Sequence, residues 1–179
     1  MNTFITFLRG INVSGQKKVP MAELRNLFTK EGFQNVETYI QSGNVVFQSD
    51  SSDEQKLEDK IKSAIQSHFG FDVSVLVKSP EELQQIFDDC PFSQNQKEQS
   101  YFILLYNIPD KGLIKELSNL EFPDETFVIT KNCIYLYVSN GYGRAKCNNN
   151  FFERKLKVTA TARNYKTIVK LLSLSADKS

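Results

Sequence analysis

The amino-acid sequence predicts an α+β protein: two tandem copies of one β-α-β-β-α-β unit with antiparallel sheets, followed by a closing C-terminal helix. Three observations predict it. Strand-like apolar runs and helical apolar stripes follow one another in the same order twice. The four residues Gln41-Ser42-Gly43-Asn44, rich in turn formers, sit between two such runs and mark a hairpin. The chain has 179 residues and is 40% apolar and 24% charged, enough for one full core or two small ones of about 90 residues each. That composition excludes a disordered tail protein, a collagen-like repeat and a disulfide-stapled miniprotein.

In chain order, Phe4 to Leu8 reads as a strand, and Met21, Leu24, Leu27 and Phe28 recur at helical spacing. Val36 to Ile40 and Val45 to Phe47 form the hairpin. A second helix starts behind Ser51-Ser52-Asp53, stripes through Leu57, Ile61, Ala64, Ile65 and Phe69, and stops at Gly70, with a fourth strand from Val73 to Val77. This is the split βαβ order of ferredoxin-like domains, here over residues 1–79. Ser79-Pro80 opens a bridging helix through Leu83, Ile86 and Phe87, within a bridge of residues 80–98. The second ferredoxin-like unit, 99–162, has a strand to Tyr106, a helix through Leu113 and Leu117, strands at 127–129 and 134–138, a helix through Phe152 and Leu156, and a last strand at 158–162. Residues 163–179 hold a closing helix, through Tyr165, Ile168, Val169 and Leu172, expected to lie back across the first unit.

Overall charge is near balance, but residues 144–179 carry nine Lys/Arg against two Asp/Glu, net +7, and the remainder is net −6. A basic terminal segment on an acidic body attracts an anion: nucleic acid, phosphate or an acidic patch of its own chain. Cys90, Cys133 and Cys147 are widely spaced and accompanied by a single histidine, His68, so reduced thiols are expected and neither a metal nor a cofactor is. His68 falls on the apolar stripe of its helix and reads as a packed core residue. No run of about 18 apolar residues or signal peptide is present, so a cytoplasmic protein with no membrane partner is expected.

In a split βαβ unit the first and third strands are antiparallel neighbours, so the exit of the first lies beside the turn that opens the third. This juxtaposes Arg9, Asn12, Lys17 and Lys18 with Gln41, Ser42 and Asn44. The first helix starts at the same edge behind Pro20, and its free N–H groups favour negative charge. Cations at that end cost about 0.3–1 kcal/mol each unless an anion or acidic group answers them, which points to an anion site. The alternative for each residue is structural: turn glycines, Asn side chains bonded to nearby backbone, and solvated lysines.

Two further stretches are candidates. Gly141-Tyr142-Gly143-Arg144-Ala145-Lys146 has the composition of a phosphate-cradling loop but lacks the third glycine and the Lys-[Ser/Thr] ending, leaving Arg144 and Lys146 as anion contacts. Thr159 to Asn164 precedes the closing helix, with Asn164 or Thr161 as its cap; alternatively Arg163 and Asn164 approach the edge that holds Arg9 and Asn44.

Leu8-Arg9-Gly10-Ile11-Asn12-Val13, Val19-Pro20-Met21-Ala22-Glu23-Leu24-Arg25, Thr38-Tyr39-Ile40-Gln41-Ser42-Gly43-Asn44-Val45-Val46-Phe47 and Ala160-Thr161-Ala162-Arg163-Asn164-Tyr165-Lys166-Thr167 resemble the bacterial "domain of unknown function 1697" family along essentially the whole chain. The resemblance implies tandem ferredoxin-like domains and brings no catalytic residue. The chain departs from the family's usual pattern at Ser14 (Gly), Ala145 (Ser) and Tyr165 (Trp), the last keeping an aromatic ring.

Three functional readings follow, and whether the chain is an enzyme stays open among them. The first is a non-enzymatic module binding a phosphate-bearing anion, either a small molecule or nucleic acid. The second is an enzyme acting on a phosphorylated small molecule, in which Lys17, Asn44 and Arg163 orient and stabilise charge. The third is a self-associating protein. No Gly-x-Ser-x-Gly elbow, His-Glu-x-x-His or Cys-x-x-Cys is present. Tyr135 and Tyr137 share one strand face, yet Val45-Val46-Phe47-Gln48 lacks the basic-Gly-aromatic pattern of an RNA-recognition core.

Overall fold

Two four-stranded antiparallel sheets carry the chain, one in each of the two units into which the computed structural model divides; residues 1–178 are described. The first unit comprises Met1–Gln84 with the chain from Val169, and the second Gln85–Ile168.

The first unit runs β1 (Asn2–Leu8), α1 (Met21–Lys30), β2 (Gln34–Tyr39), β3 (Asn44–Ser49), α2 (Glu54–Phe69) and β4 (Val75–Lys78), with sheet order β2-β3-β1-β4. This is the predicted split βαβ arrangement. Alternation along β1 sends Phe4 and Leu8 to the helix side, where they join Val45, Phe47, Val75 and Val77 beneath Leu24, Leu27 and Phe28 of α1 and Leu57, Ile61 and Ile65 of α2. Phe33 and Phe47 lie with ring centroids 4.7 Å apart in the middle of this core. The helix signals hold as read: Asp53 accepts from Lys56 N–H at the start of α2, and Gly70, at φ 80°, ends it. β4 starts at Val75 rather than Val73, because its pairing with β1 ends at Leu8 opposite Val75.

α3 (Pro80–Asp88) follows, opened by a reciprocal capping box: Glu82 N–H donates to Ser79 Oγ (3.2 Å) and Ser79 N–H to Glu82 Oε2 (3.1 Å). A single turn, α4 (Gln94–Lys97), was not foreseen; four residues are too few to show a period.

The second unit repeats the plan with β5 (Ser100–Leu105), α5 (Lys111–Ser118), β6 (Glu125–Ile129), β7 (Cys133–Val138), α6 (Asn149–Leu156) and β8 (Ala160–Asn164), in sheet order β6-β7-β5-β8. The last strand begins two residues later than read, since Val158 N–H still donates to Glu153 O behind Lys157, which sits at φ 53° and ends α6. Ile103, Ile134 and Leu136 pack under Leu117, Phe152 and Leu156. On the opposite sheet face Phe87 stacks on Phe102 at 5.8 Å, Tyr135 Oη donates to Ile86 O (2.7 Å), and Phe92 lies 6.4 Å from Tyr137. Those two tyrosines therefore pack against the unit's own chain.

α7 (Tyr165–Ala176) is capped by Asn164, whose Oδ1 accepts from Thr167 N–H at 2.9 Å. Thr161, the other candidate cap, instead accepts from Arg163. The end of the chain lies on the first unit as expected: Lys178 O accepts from Gln48 Nε2 (2.7 Å) and Thr3 Oγ1 (3.4 Å), and its ammonium pairs with Glu37 at 3.1 Å. All three cysteines are free thiols.

Candidate functional site

The exit of β1 and the tip of the β2–β3 hairpin meet, as the threading of the chain requires. Leu8 N–H donates to Gly43 O at 2.8 Å. The approach is so close that a Cβ on Gly43 would lie 2.6 Å from Leu8 Cβ, and the backbone there is left-handed, φ 85°. Arg9 N–H donates to Ser74 O (3.1 Å), extending the β1–β4 ladder by one step.

Beyond Gly10 the chain makes a rigid, exposed loop. Asn12 closes it: Nδ2 donates to Val19 O (3.0 Å) and Gln41 O (2.9 Å), Oδ1 accepts from Val19 N–H (2.8 Å), and Asn12 N–H reaches Lys17 O (3.1 Å). Residues 13–18 between these anchors are all exposed. Asn12, Ser14 and Lys17 all have positive φ, a dense run of uncommon backbone for residues other than glycine. Lys17 Nζ donates to Asp72 O (2.7 Å), Lys62 pairs with the Asp72 carboxylate at 3.5 Å, and Lys18 is exposed with no polar partner among the described residues.

The seven candidates of this unit thus share one edge in different capacities. Asn12 is structural, and so is the fully buried Asn44, whose Nδ2 donates to Tyr39 O (3.1 Å) and Ser42 Oγ (2.9 Å). Gln41 contributes its carbonyl. Lys17 and Lys18 face solvent, joined by Lys62, which the sequence did not single out because it lies on the polar face of α2, 45 residues away. Glu23, in the first turn of α1, supplies the acidic answer to the helix dipole.

His68 corrects the sequence reading. It is exposed, not packed in the core, and its Nε2 lies 3.6 Å from Glu23. With Ala64, Ser67, Leu27, Lys30 and Lys60 it lines a groove of about 360 Å³.

The other four candidates, in the second unit, do not come together. In the glycine-containing loop Glu125 accepts from Cys147 N–H (2.8 Å) and Lys146 N–H (2.5 Å), so the chain's own carboxylate takes up these two amides. Burial alone would raise Glu125, but the Cys147 thiol and these two amides outweigh it and hold the carboxyl below its ordinary value. Burial and this same carboxylate push the Cys147 thiol upward. Arg144 ends a 3₁₀ turn over Tyr142–Arg144, whose Tyr142 ring stacks on Tyr101 at 4.2 Å on the helix side of the sheet. Arg163 pairs in register with Phe102 and so belongs to the opposite face. It is buried, donates to Thr161 Oγ1 (2.7 Å) and Ala162 O (2.9 Å), and burial lowers it to about 10, with Tyr106 acting in the other direction. Asn164 is spent on the α7 cap.

A second polar cluster in the first unit carried no sequence signal. Burial and a hydrogen bond to Glu82 raise Glu54 to about 7. Lys78 lies 3.3 Å from Glu82 and 3.9 Å from Glu54. No group of three or more His, Cys, Asp or Glu among the described residues is placed to hold a metal ion.

The fold and edge define a class: tandem split βαβ units whose first unit presents a lysine-bearing loop beside its hairpin tip. The chain belongs to the family described as "Protein of unknown function (DUF1697)", which matches residues 1–135. It is similar to the solved structure of the conserved bacterial protein SP0830 from Streptococcus pneumoniae, with 28% identity and a TM-score of 0.74 over 96% of this chain and 97% of that one. No curated protein matches the sequence.

Proposed function

We propose that this protein is a non-enzymatic, cytoplasmic module of two ferredoxin-like domains that binds a phosphate-bearing anion at the loop of residues 10–18. The supporting observation is the exposed loop itself. Asn12 holds it by three side-chain hydrogen bonds, it carries Lys17 and Lys18 exposed to solvent, and Lys17 and Lys62 meet at Asp72, one on its carbonyl and the other on its carboxylate. A loop already fixed in place loses little freedom when a ligand arrives, so the positive excess is available for binding. A small phosphorylated molecule fits better than single-stranded nucleic acid, because Phe102 and Tyr135 are buried beneath the chain's own residues and offer no stacking platform.

Thermal unfolding in the presence of inorganic phosphate, nucleoside phosphates and an oligonucleotide tests the reading. A ligand at about 100 times its dissociation constant adds about 2.7 kcal/mol of stability, a rise of several degrees for a chain of this size. Lys17→Ala with Lys18→Ala abolishes the rise while leaving the ligand-free melting temperature within about 1–2 °C. An oligonucleotide response that falls steeply with salt redirects the assignment to nucleic acid. No rise with any phosphate compound refutes it.

A further inference from the structure

Every open sheet has two outer strands, whose unpaired N–H and C=O groups invite pairing with another chain unless something blocks them. Three of the four outer strands here are blocked. In β4, Val77 N–H donates to Glu58 Oε1 (2.9 Å). In β8, Ala160 N–H donates to Glu153 Oε1 (2.8 Å), and Ala160 O accepts from Asn149 Nδ2 (2.9 Å). In β2, the register shifts between Gln34 and Glu37 around Asn35, which has φ 50°, and the Lys178 ammonium sits on Glu37.

β6 is covered only at its start, where Phe122 bridges to Glu125. Its pairing with β7 is continuous from Glu125 to Ile129. Thr126 and Val128 are exposed, Val128 to 38%. The phase of the ladder is given by bonds at both ends: Thr130 N–H donates to Cys133 O (2.9 Å), and Ser139 N–H to Asp124 O (3.0 Å). Hydrogen-bonded pairs recur every second residue, so Thr126 and Val128 turn their backbone groups toward β7 while Phe127 and Ile129 turn theirs outward. Glu125, the remaining outward position, already gives its N–H to Phe122 O.

We propose that β6 is a self-pairing edge, joining two copies of this chain through an antiparallel β6–β6 contact with its two-fold axis at Val128. This register places Phe127 opposite Ile129 of the second copy, so the free N–H and C=O groups of both residues are answered on both strands. It sets Val128 against its own symmetry mate, an apolar pair that is favourable across antiparallel strands. Moving the axis to Phe127 would leave Lys131 facing Pro123 and set the outward carbonyl of Ile129 against the engaged N–H of Glu125. A two-fold contact of this kind closes on itself and stops at two copies. A five-residue strand buries little area, so the dimer is weak and concentration-dependent.

The test is mass in solution over about three decades of protein concentration, read beside cross-linking. The wild-type mass doubles as concentration rises. Val128→Lys, which opposes two like charges at an exposed position, keeps the monomer mass throughout with an unchanged melting temperature. In a Cys90→Ser background, Val128→Cys forms a dimer-linking disulfide under mild oxidation, because a non-hydrogen-bonded pair brings the two Cα atoms to about 4.5 Å. Thr126→Cys does not, because it faces position 130. A wild type that stays monomeric, a Val128→Lys variant that still dimerises, or a Thr126→Cys variant that links as readily as Val128→Cys overturns the proposal. None of these outcomes bears on anion binding.

Discussion

The two units solve the same geometric problems with different residues. Where the first strand leaves the sheet, Leu8 N–H donates to Gly43 O in the first unit and Leu105 N–H donates to Asn132 O in the second. The first needs a glycine, because a Cβ would collide with Leu8; the second tolerates an ordinary exposed asparagine. Both outermost strands that follow the second helix are stopped by a glutamate from that helix, Glu58 on β4 and Glu153 on β8. The other edge diverges, with β2 bulged and β6 regular and covered only at Glu125. Shared topology thus fixes where a constraint falls, while sequence decides how it is met and which edge is left for another molecule.

The sharpest way to break the comparison is at the two turns. Gly43→Ala forces a left-handed backbone that costs about 1–2 kcal/mol and adds an overpacking cost of about 1–3 kcal/mol. Denaturant unfolding should therefore show a loss of about 2–5 kcal/mol, whereas Asn132→Ala changes stability by less than about 0.5 kcal/mol. Equal losses would mean the two turns are equivalent after all.

Removing the edge-blocking glutamates has the next largest effect. Glu58→Ala and Glu153→Ala each strip a charged partner from a strand N–H and cost about 1–2 kcal/mol in urea melts. Hydrogen exchange should accelerate at Val77 in the first variant and at Ala160 in the second.

Smaller effects appear in pH dependence, where Glu54 of the first unit and Glu125 of the second act with opposite sign. Glu54, raised to about 7 by burial and Glu82, holds its proton more tightly folded than unfolded. The stability it contributes is complete below its unfolded value of about 4.5 and is lost as pH rises toward 7. Glu58, also raised by burial, acts the same way. Glu125 of the second unit is lowered, so its contribution is present above about 4.5 and is lost on acidification. Glu54→Gln should flatten the fall in stability between about pH 4.5 and 7, read from melting temperatures across that range, and Glu125→Gln should flatten only the acid side.

Strand order carries the placement of the first unit's candidates, while their roles stay open in the sequence between an anion site and structural bonding. Arg9, Asn12, Lys17 and Asn44 were brought to one edge by strand order alone. That Asn12 clamps the loop to Gln41, that Asp72 meets Lys17, and that Glu125 fills the glycine-containing loop depends on residues 22 to 55 positions apart meeting. His68 misled for a related reason: it sits next to the apolar stripe of Leu57, Ile61 and Ile65, but its own side chain turns toward Glu23 of α1 and solvent.

The sequence by itself determined the order of the strands and of the longer helices, and the ends of α2 at Asp53 and Gly70. Those follow from periods of 2 and 3.6 residues and from caps acting within one turn of chain. Tertiary structure alone decided which polar groups are consumed internally and which remain for a partner. Hydrogen bonds such as Val77 to Glu58, Cys147 to Glu125 and Gln48 to Lys178 join residues whose separation along the chain carries no local signal. They form only once packing of the apolar faces has fixed where each backbone amide points.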